Sequence, residues 1–260
     1  MTTQNTTRPM PHEAHADSRR TVELSEPTHA SPLRIGGGFE ALSFKHEQFH
    51  GLMDPLLMVD HFTMTEPTFG AHPHAGMSAV SVLFEDSEGR FHNRDSLSND
   101  LDLLPGDLYW LKAGRGAVHD EAPLPGARTH ALQVFVNLPA RMKHDAPDAL
   151  HVPAATMPVI TGDGHRVRVV LGETQGVIGV ASPALPLTVL DVHLEAGSSY
   201  THDVPASHGA WLHAVRGDAD VRIDGRTTPL AEHEAIALRG GATKTALEIH
   251  SSAGSQVVLF

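Results

Sequence analysis

The 260-residue chain contains no cysteine, so neither a disulfide framework nor thiolate chemistry is open to it, in keeping with a reducing, cytoplasmic setting. Basic residues are scarce too: 19 Lys and Arg stand against 31 Asp and Glu, a formal charge of 19 − 31 = −12. A surface of that sign repels phosphate backbones and anionic lipid, which removes nucleic acid and membranes as direct partners. No apolar run approaches the length of a membrane span, and residues 1–30 lack the hydrophobic centre of a secretory signal. What the chain does contain is 23 Gly and 18 Pro between many short apolar runs, the texture of an all-β protein with frequent turns. With 40% hydrophobic residues over this length, two ordinary domains are expected.

Histidine is the abundant titratable residue, with 20 copies, so a His-x-His triplet arises by chance about once or twice. The only one present is His72-Pro73-His74. A second alternating pair, His119-Asp120-Glu121, follows a Pro105-Gly106-Asp107 turn and the Gly-rich Ala113-Gly114-Arg115-Gly116 stretch. On β-strands the side-chain period of two puts both members of each pair on one face, so two strands can present His72, His74, His119 and Glu121 to a common point. Three neutral imidazoles and a carboxylate suit a divalent first-row metal and leave coordination positions free for substrate or dioxygen.

Read in order, residues 1–30 are polar, rich in Thr and His and without period, and are expected to form a flexible tail in which His12, His15 and His29 are solvated. Structure begins near Leu33, and LLMVDHF (residues 56–62) suits a buried strand. Asp60 closes that run as a turn residue or as an acceptor for a neighbouring ligand, and His61 either lines a pocket or ends the strand. SAVSVLFE (78–85) and THALQVFVNLPA (129–140) read as barrel strands, and His92 as structural. One of Tyr109 and Trp110 must face inward, as core or as a wall for an aromatic substrate. The charged, Pro-rich stretch after Ala140 reads as a linker. The second half has short β-like segments every eight to twelve residues or so, with Asp224-Gly225 as a hairpin turn. No two of His193, His202, His208 and His213 are spaced i, i+2, so no second metal site is expected there.

The runs HPHAGM, HNRDSLSND, LLPGDLYWLKAGRGAVHDE and LQVFVNLPAR, dense over residues 56–145, resemble the pirin family. That resemblance implies two tandem cupin (jelly-roll) β-barrels, a bicupin, divided here as a tail 1–30, a metal-binding domain 31–145 and a degenerate cupin 146–260. It also implies one metal per chain, often iron as Fe(II), with Ni, Cu, Mn, Co or Zn as alternatives, held by His72, His74, His119 and Glu121. Ser78 and Ala75 depart from the family, which commonly carries Glu and a basic residue at those places. Because the chain ends at Phe260 it resembles the shorter bacterial pirins, which are similar to quercetin 2,3-dioxygenases. Such enzymes take the 3-hydroxyl proton from a flavonol, a small aromatic substrate, and open its heterocycle with O2, releasing carbon monoxide. Glu121 would be both ligand and catalytic base. The alternative is a metal-dependent regulatory or redox-sensing protein that acts through a protein partner without turnover.

Overall fold

A computed structural model describes residues 22–260, nearly all of them in β-strands and turns. The first barrel pairs a seven-stranded sheet with a four-stranded one. Across the larger sheet the strands run Asp148–Val152, Leu108–Lys112, Met77–Leu83, Thr129–Asn137, Leu56–Met64, Phe39–Lys45 and Ser31–Ile35. The smaller has His72–His74, Ala117–Pro123, Phe91–Asp95 and Asp100–Leu103. The second barrel repeats the plan with Glu234–Arg239, Gly209–Arg216, Ser255–Leu259, Val189–Leu194, His165–Leu171 and Val159–Gly162 facing Ser198–Val204, Thr245–Ser251, Ala219–Ile223 and Arg226–Leu230. This is the all-β, two-barrel architecture expected of a bicupin. The Asp224-Gly225 hairpin forms as the dipeptide predicts, with both φ angles positive, at 50° and 73°.

Strand alternation gives the first barrel's large sheet two buried faces, and this decides where everything else lies. Phe39, Ala41, Phe62, Met64, Leu83, Tyr109, Leu111 and Ala131 point into the barrel. Phe44, Val59, Val80, Val82, Leu108, Trp110, Leu132, Val134 and Val136 point the other way, into a core shared with Trp211, Val215, Ala237, Val258 and Phe260 of the second barrel. The barrels are therefore joined by continuous apolar packing, with Phe44 edge-on to Trp211 at a 5.6 Å ring separation. Buried Arg168 crosses the same seam: it pairs with Asp191 at 3.1 Å and donates to the carbonyl of Gly106 at 3.0 Å. Gly106, at φ 85°, cannot gain a side chain, because a Cβ there would lie 2.7 Å from that guanidinium.

Two boundaries differ from the sequence reading. Residues 1–21 of the expected tail lie outside the described residues, but Glu23–Leu24 and Thr28–His29 are strands that run antiparallel to Glu234–Arg239 in the second barrel. His29 is solvent-facing, as expected, beside Glu234 at 3.2 Å. In the expected linker, Asp148–Val152 pairs with Leu108–Lys112 and completes the first barrel, so the chain crosses over after Val152 and not at 145. Strands of two to five residues between prolines and charges carry too little alternation to be seen in sequence.

Candidate metal centre and cavity

The His72–His74 strand lies antiparallel to Ala117–Pro123 with His72 opposite His119 and Ala117 opposite His74. That register brings three imidazoles to one point: Nε2 of His119 is 3.0 Å from Nε2 of His74 and 3.2 Å from Nε2 of His72. Nδ1 of His72 is 2.8 Å from the carbonyl oxygen of Gly70, so Nδ1 carries the proton and Nε2 presents a lone pair inward. Burial, reinforced by His72, pushes His74 down to about 4. Burial followed by His72 and His74 pushes His119 down to about 3. Neutral nitrogens packed this closely fit a divalent metal: their lone pairs converge where no protein donor can satisfy all three.

Glu121 is buried beside this group, with Oε2 3.7 Å from Nδ1 of His119. Burial raises its carboxyl to about 7, against the lowering effect of the Ser81 hydroxyl, which lies 2.8 and 3.0 Å from its two oxygens. Of the four expected ligands, the three imidazoles converge directly, while the carboxylate is held one step back by Ser81.

These groups line a cavity of about 300 Å³. Its walls are Phe39, Phe62, Phe91, Phe135, Met58 and Met64, and it reaches the surface at Leu33 and Phe69, the exposed members of the lining. Asp60 and Gln133 are its remaining polar residues: Asp60, expected as a turn residue or an acceptor for a neighbouring ligand, lies within the strand Leu56–Met64 on the cavity wall, and Gln133 carried no expectation from sequence. They belong to a row that register sets across five strands: Ser43, Asp60, Gln133, Ser81 and Tyr109. Oδ1 of Asp60 and Nε2 of Gln133 are buried with no protein partner. Burial raises the Asp60 carboxyl, with Ser43 opposing. The available signal was a lone carboxylate inside the apolar run LLMVDHF, since a buried charge is retained only where something uses it.

The other sequence candidates sort by strand parity. His61, next to Asp60, points into the seam and not into the cavity. Tyr109 faces the barrel interior and donates its hydroxyl to Asp95, while Trp110 is in the seam core; neither lines the cavity. His92 bonds Asp102 at 2.9 Å. Ser78 is buried away from the cavity and Ala75 is exposed, so neither departure touches the imidazoles. Among the described residues the one other cluster of potential ligands is Glu85, Asp191 and His193, and its carboxylates are already engaged by Arg166 and Arg168.

A Pirin family model matches residues 39–136, the span that contains all four candidate ligands. Mouse pirin is 31% identical over 190 residues, which cover 73% of this chain and 65% of the mouse protein. A pirin-like protein of Caulobacter vibrioides is 33% identical over 184 residues, 66% of this chain and 65% of its own. The chain belongs to the pirin family. It spans just under two thirds of the length of these relatives. Among solved structures, GK1651 of Geobacillus kaustophilus superposes with TM-score 0.81 at 24% identity, covering 92% of this chain and 94% of that one. Quercetin 2,3-dioxygenase of Acinetobacter baumannii gives 0.78 at 23%, over 92% and 86%. The bacterial pirin YhhW of Escherichia coli, in complex with nickel(II), gives 0.68 at 18%, over 92% and 97%. At these identities the likeness establishes the fold.

Proposed function

We propose that this pirin is a metal-dependent dioxygenase that cleaves a flavonol-type ring with O2, with one divalent metal, Fe(II) first among candidates, at His72, His74, His119 and Glu121. The observation that carries the reading is the convergence of three neutral imidazole nitrogens beside a buried carboxylate on the wall of an open, aromatic-lined cavity. A volume of about 300 Å³ lies at the lower end of small-molecule sites, and an opening at Phe69 admits a substrate where a sealed centre would suit only a sensor. The similarity to a protein described as quercetin 2,3-dioxygenase supports the same choice.

The work of the chain's own residues follows from their positions. The phenylalanines hold a flat ring system and exclude water. Glu121, desolvated and oriented by Ser81, accepts the hydroxyl proton of the bound flavonol. Asp60 offers an acceptor and Gln133 a donor to the polar groups of the ring system. When bound, a transition metal supplies the Lewis acidity and spin pathway that dioxygen chemistry requires. The test is metal analysis of the purified protein followed by incubation with quercetin in air and under argon. Oxygen-dependent loss of the flavonol with one carbon monoxide per substrate supports the reading. A fully metallated protein that leaves quercetin untouched in air overturns it and moves the partner-binding regulatory reading ahead.

A further inference from the structure

A second histidine cluster lies in the seam, and its nitrogens are arranged differently from those of the metal centre. Nε2 of His130 is 2.7 Å from Nε2 of His61, while Nδ1 of His61 is 3.0 Å from Nε2 of His213. Both nitrogens of His61 are used in opposite directions, so the three rings form a line and not a chelate. The line ends on an acceptor at each side: Nδ1 of His130 meets the Asp86 carboxylate at 2.7 Å, and Nδ1 of His213 meets the carbonyl oxygen of Glu234 at 2.9 Å. All three rings are buried.

Four contacts need four protons. Three neutral imidazoles supply three, because each carries one N–H and one lone pair. Starting from the Glu234 carbonyl, which only accepts, Nδ1 of His213 must donate, its Nε2 must accept from His61, and Nε2 of His61 must accept from His130. His130 then has to donate from both nitrogens. From the Asp86 end the same count leaves His213 short instead. We propose that His130, His61 and His213 form a proton-binding latch between the barrels, complete only when the line holds one proton more than three neutral imidazoles. The charge sits best on His130, against Asp86. Without that proton two acceptors face each other at one contact, and the latch is one bond short.

Other charged groups bear on the latch from each side. Arg216 lies 3.1 Å from the second Asp86 oxygen, and Arg128 and Arg216 both disfavour a charged His130. His233 lies over His61 at a 5.9 Å ring separation. Asp86 is the one carboxylate among these groups. Burial pushes His130 below the ordinary imidazole value, with Asp86 opposing, so the proton leaves as pH rises towards neutrality. The strand that carries His61 into the seam carries Asp60 into the cavity, and the strand of His130 carries Gln133 and Phe135 there, so the latch and the cavity share two backbones.

The test is a titration of the full chain carrying ¹⁵N-labelled histidine, followed by NMR from about pH 5 to about pH 8, where imidazoles ordinarily change charge. His61, His130 and His213 are expected to shift together with one midpoint and a total uptake of one proton. In Asp86→Asn the amide donates to Nδ1 of His130 and its oxygen faces Arg216, so four bonds form with three neutral rings. The shared titration should then vanish while the rings stay paired. Arg216→Gln removes the ion pair but keeps the carboxylate, and should retain the titration. Separate midpoints for the three rings, no proton uptake across the range, or an unchanged titration in Asp86→Asn would each overturn the latch.

Discussion

The two barrels share one strand order and hold opposite interiors. In the first, the inward row on the large sheet is Ser43, Asp60, Gln133 and Ser81; on the matching strands of the second it is Val167, Val192, Val257 and Ala214. On the small sheets, His72 opposite His119 in the first barrel is answered by Tyr200 opposite Ile249 and His202 opposite Leu247 in the second. The second interior is a closed apolar core, while the first keeps a cavity edged by unpartnered polar atoms. The difference shows that the backbone plan does not itself make a site. What makes one is a handful of inward positions where burial energy, worth roughly 1.5–3 kcal/mol for a large apolar side chain, has been given up for polar groups.

The largest predicted effect comes from removing the feature the second barrel lacks. His119→Ala should take metal content from about one per chain to none by elemental analysis and reduce flavonol turnover to background, since one of three strong ligands is gone. Glu121→Gln should keep most of its metal, the amide oxygen remaining a ligand of similar shape, yet lose turnover by about a hundredfold or more because an amide is not a base. Near wild-type turnover with metal in place would move the base elsewhere; His61 faces the seam, which leaves Asp60 as the next carboxylate on the cavity.

Asp60→Val makes the first barrel more like the second, copying Val192. It should raise KM for the flavonol by about tenfold through loss of one hydrogen bond to a charged group, while kcat changes little. Relieving a buried, unpartnered carboxylate oxygen should at the same time stabilise the fold by about 1 kcal/mol, or roughly 2–4 °C in Tm, read by thermal denaturation. The smallest expected effect is none: His202→Ala, in the second barrel, should leave metal content and turnover unchanged, because His202 is bonded to Thr174 and has no imidazole partner. A drop in metal on His202→Ala would break the contrast between the barrels.

The parts of this contrast that sequence reveals are those with a strict period of two. His72/His74 and His119/Glu121 stand out because both members of each pair face one way and their neighbours do not. The runs THALQVFVN and HRVRVVL are legible for the same reason. Asp60 and Ser81 are not, because their strands, Leu56–Met64 and Met77–Leu83, are buried on both faces and read as continuous apolar runs, which hide the direction of any single side chain. The same double burial hides the orientation of His61, whose seam partner His213 is 152 positions away. Residues 22–30 escape for the opposite reason: their strands are two residues long and show no period.

Those short strands also constrain how the protein is made. Glu23 lies against Arg239, 216 positions later, so the first described segment to leave the ribosome is among the last to find its place. The first barrel has all of its strands once Val152 has been synthesised, whereas the strap that precedes it, the strands Glu23–Leu24 and Thr28–His29, must wait for Glu234–Arg239. Until that strand appears, the strap's hydrogen-bonding edges and the apolar seam face of the first barrel are both uncovered. Circular permutation that moves residues 22–30 behind Phe260 would place strap and receiving strand close together in synthesis, and should shorten the interval in which the half-made chain can aggregate.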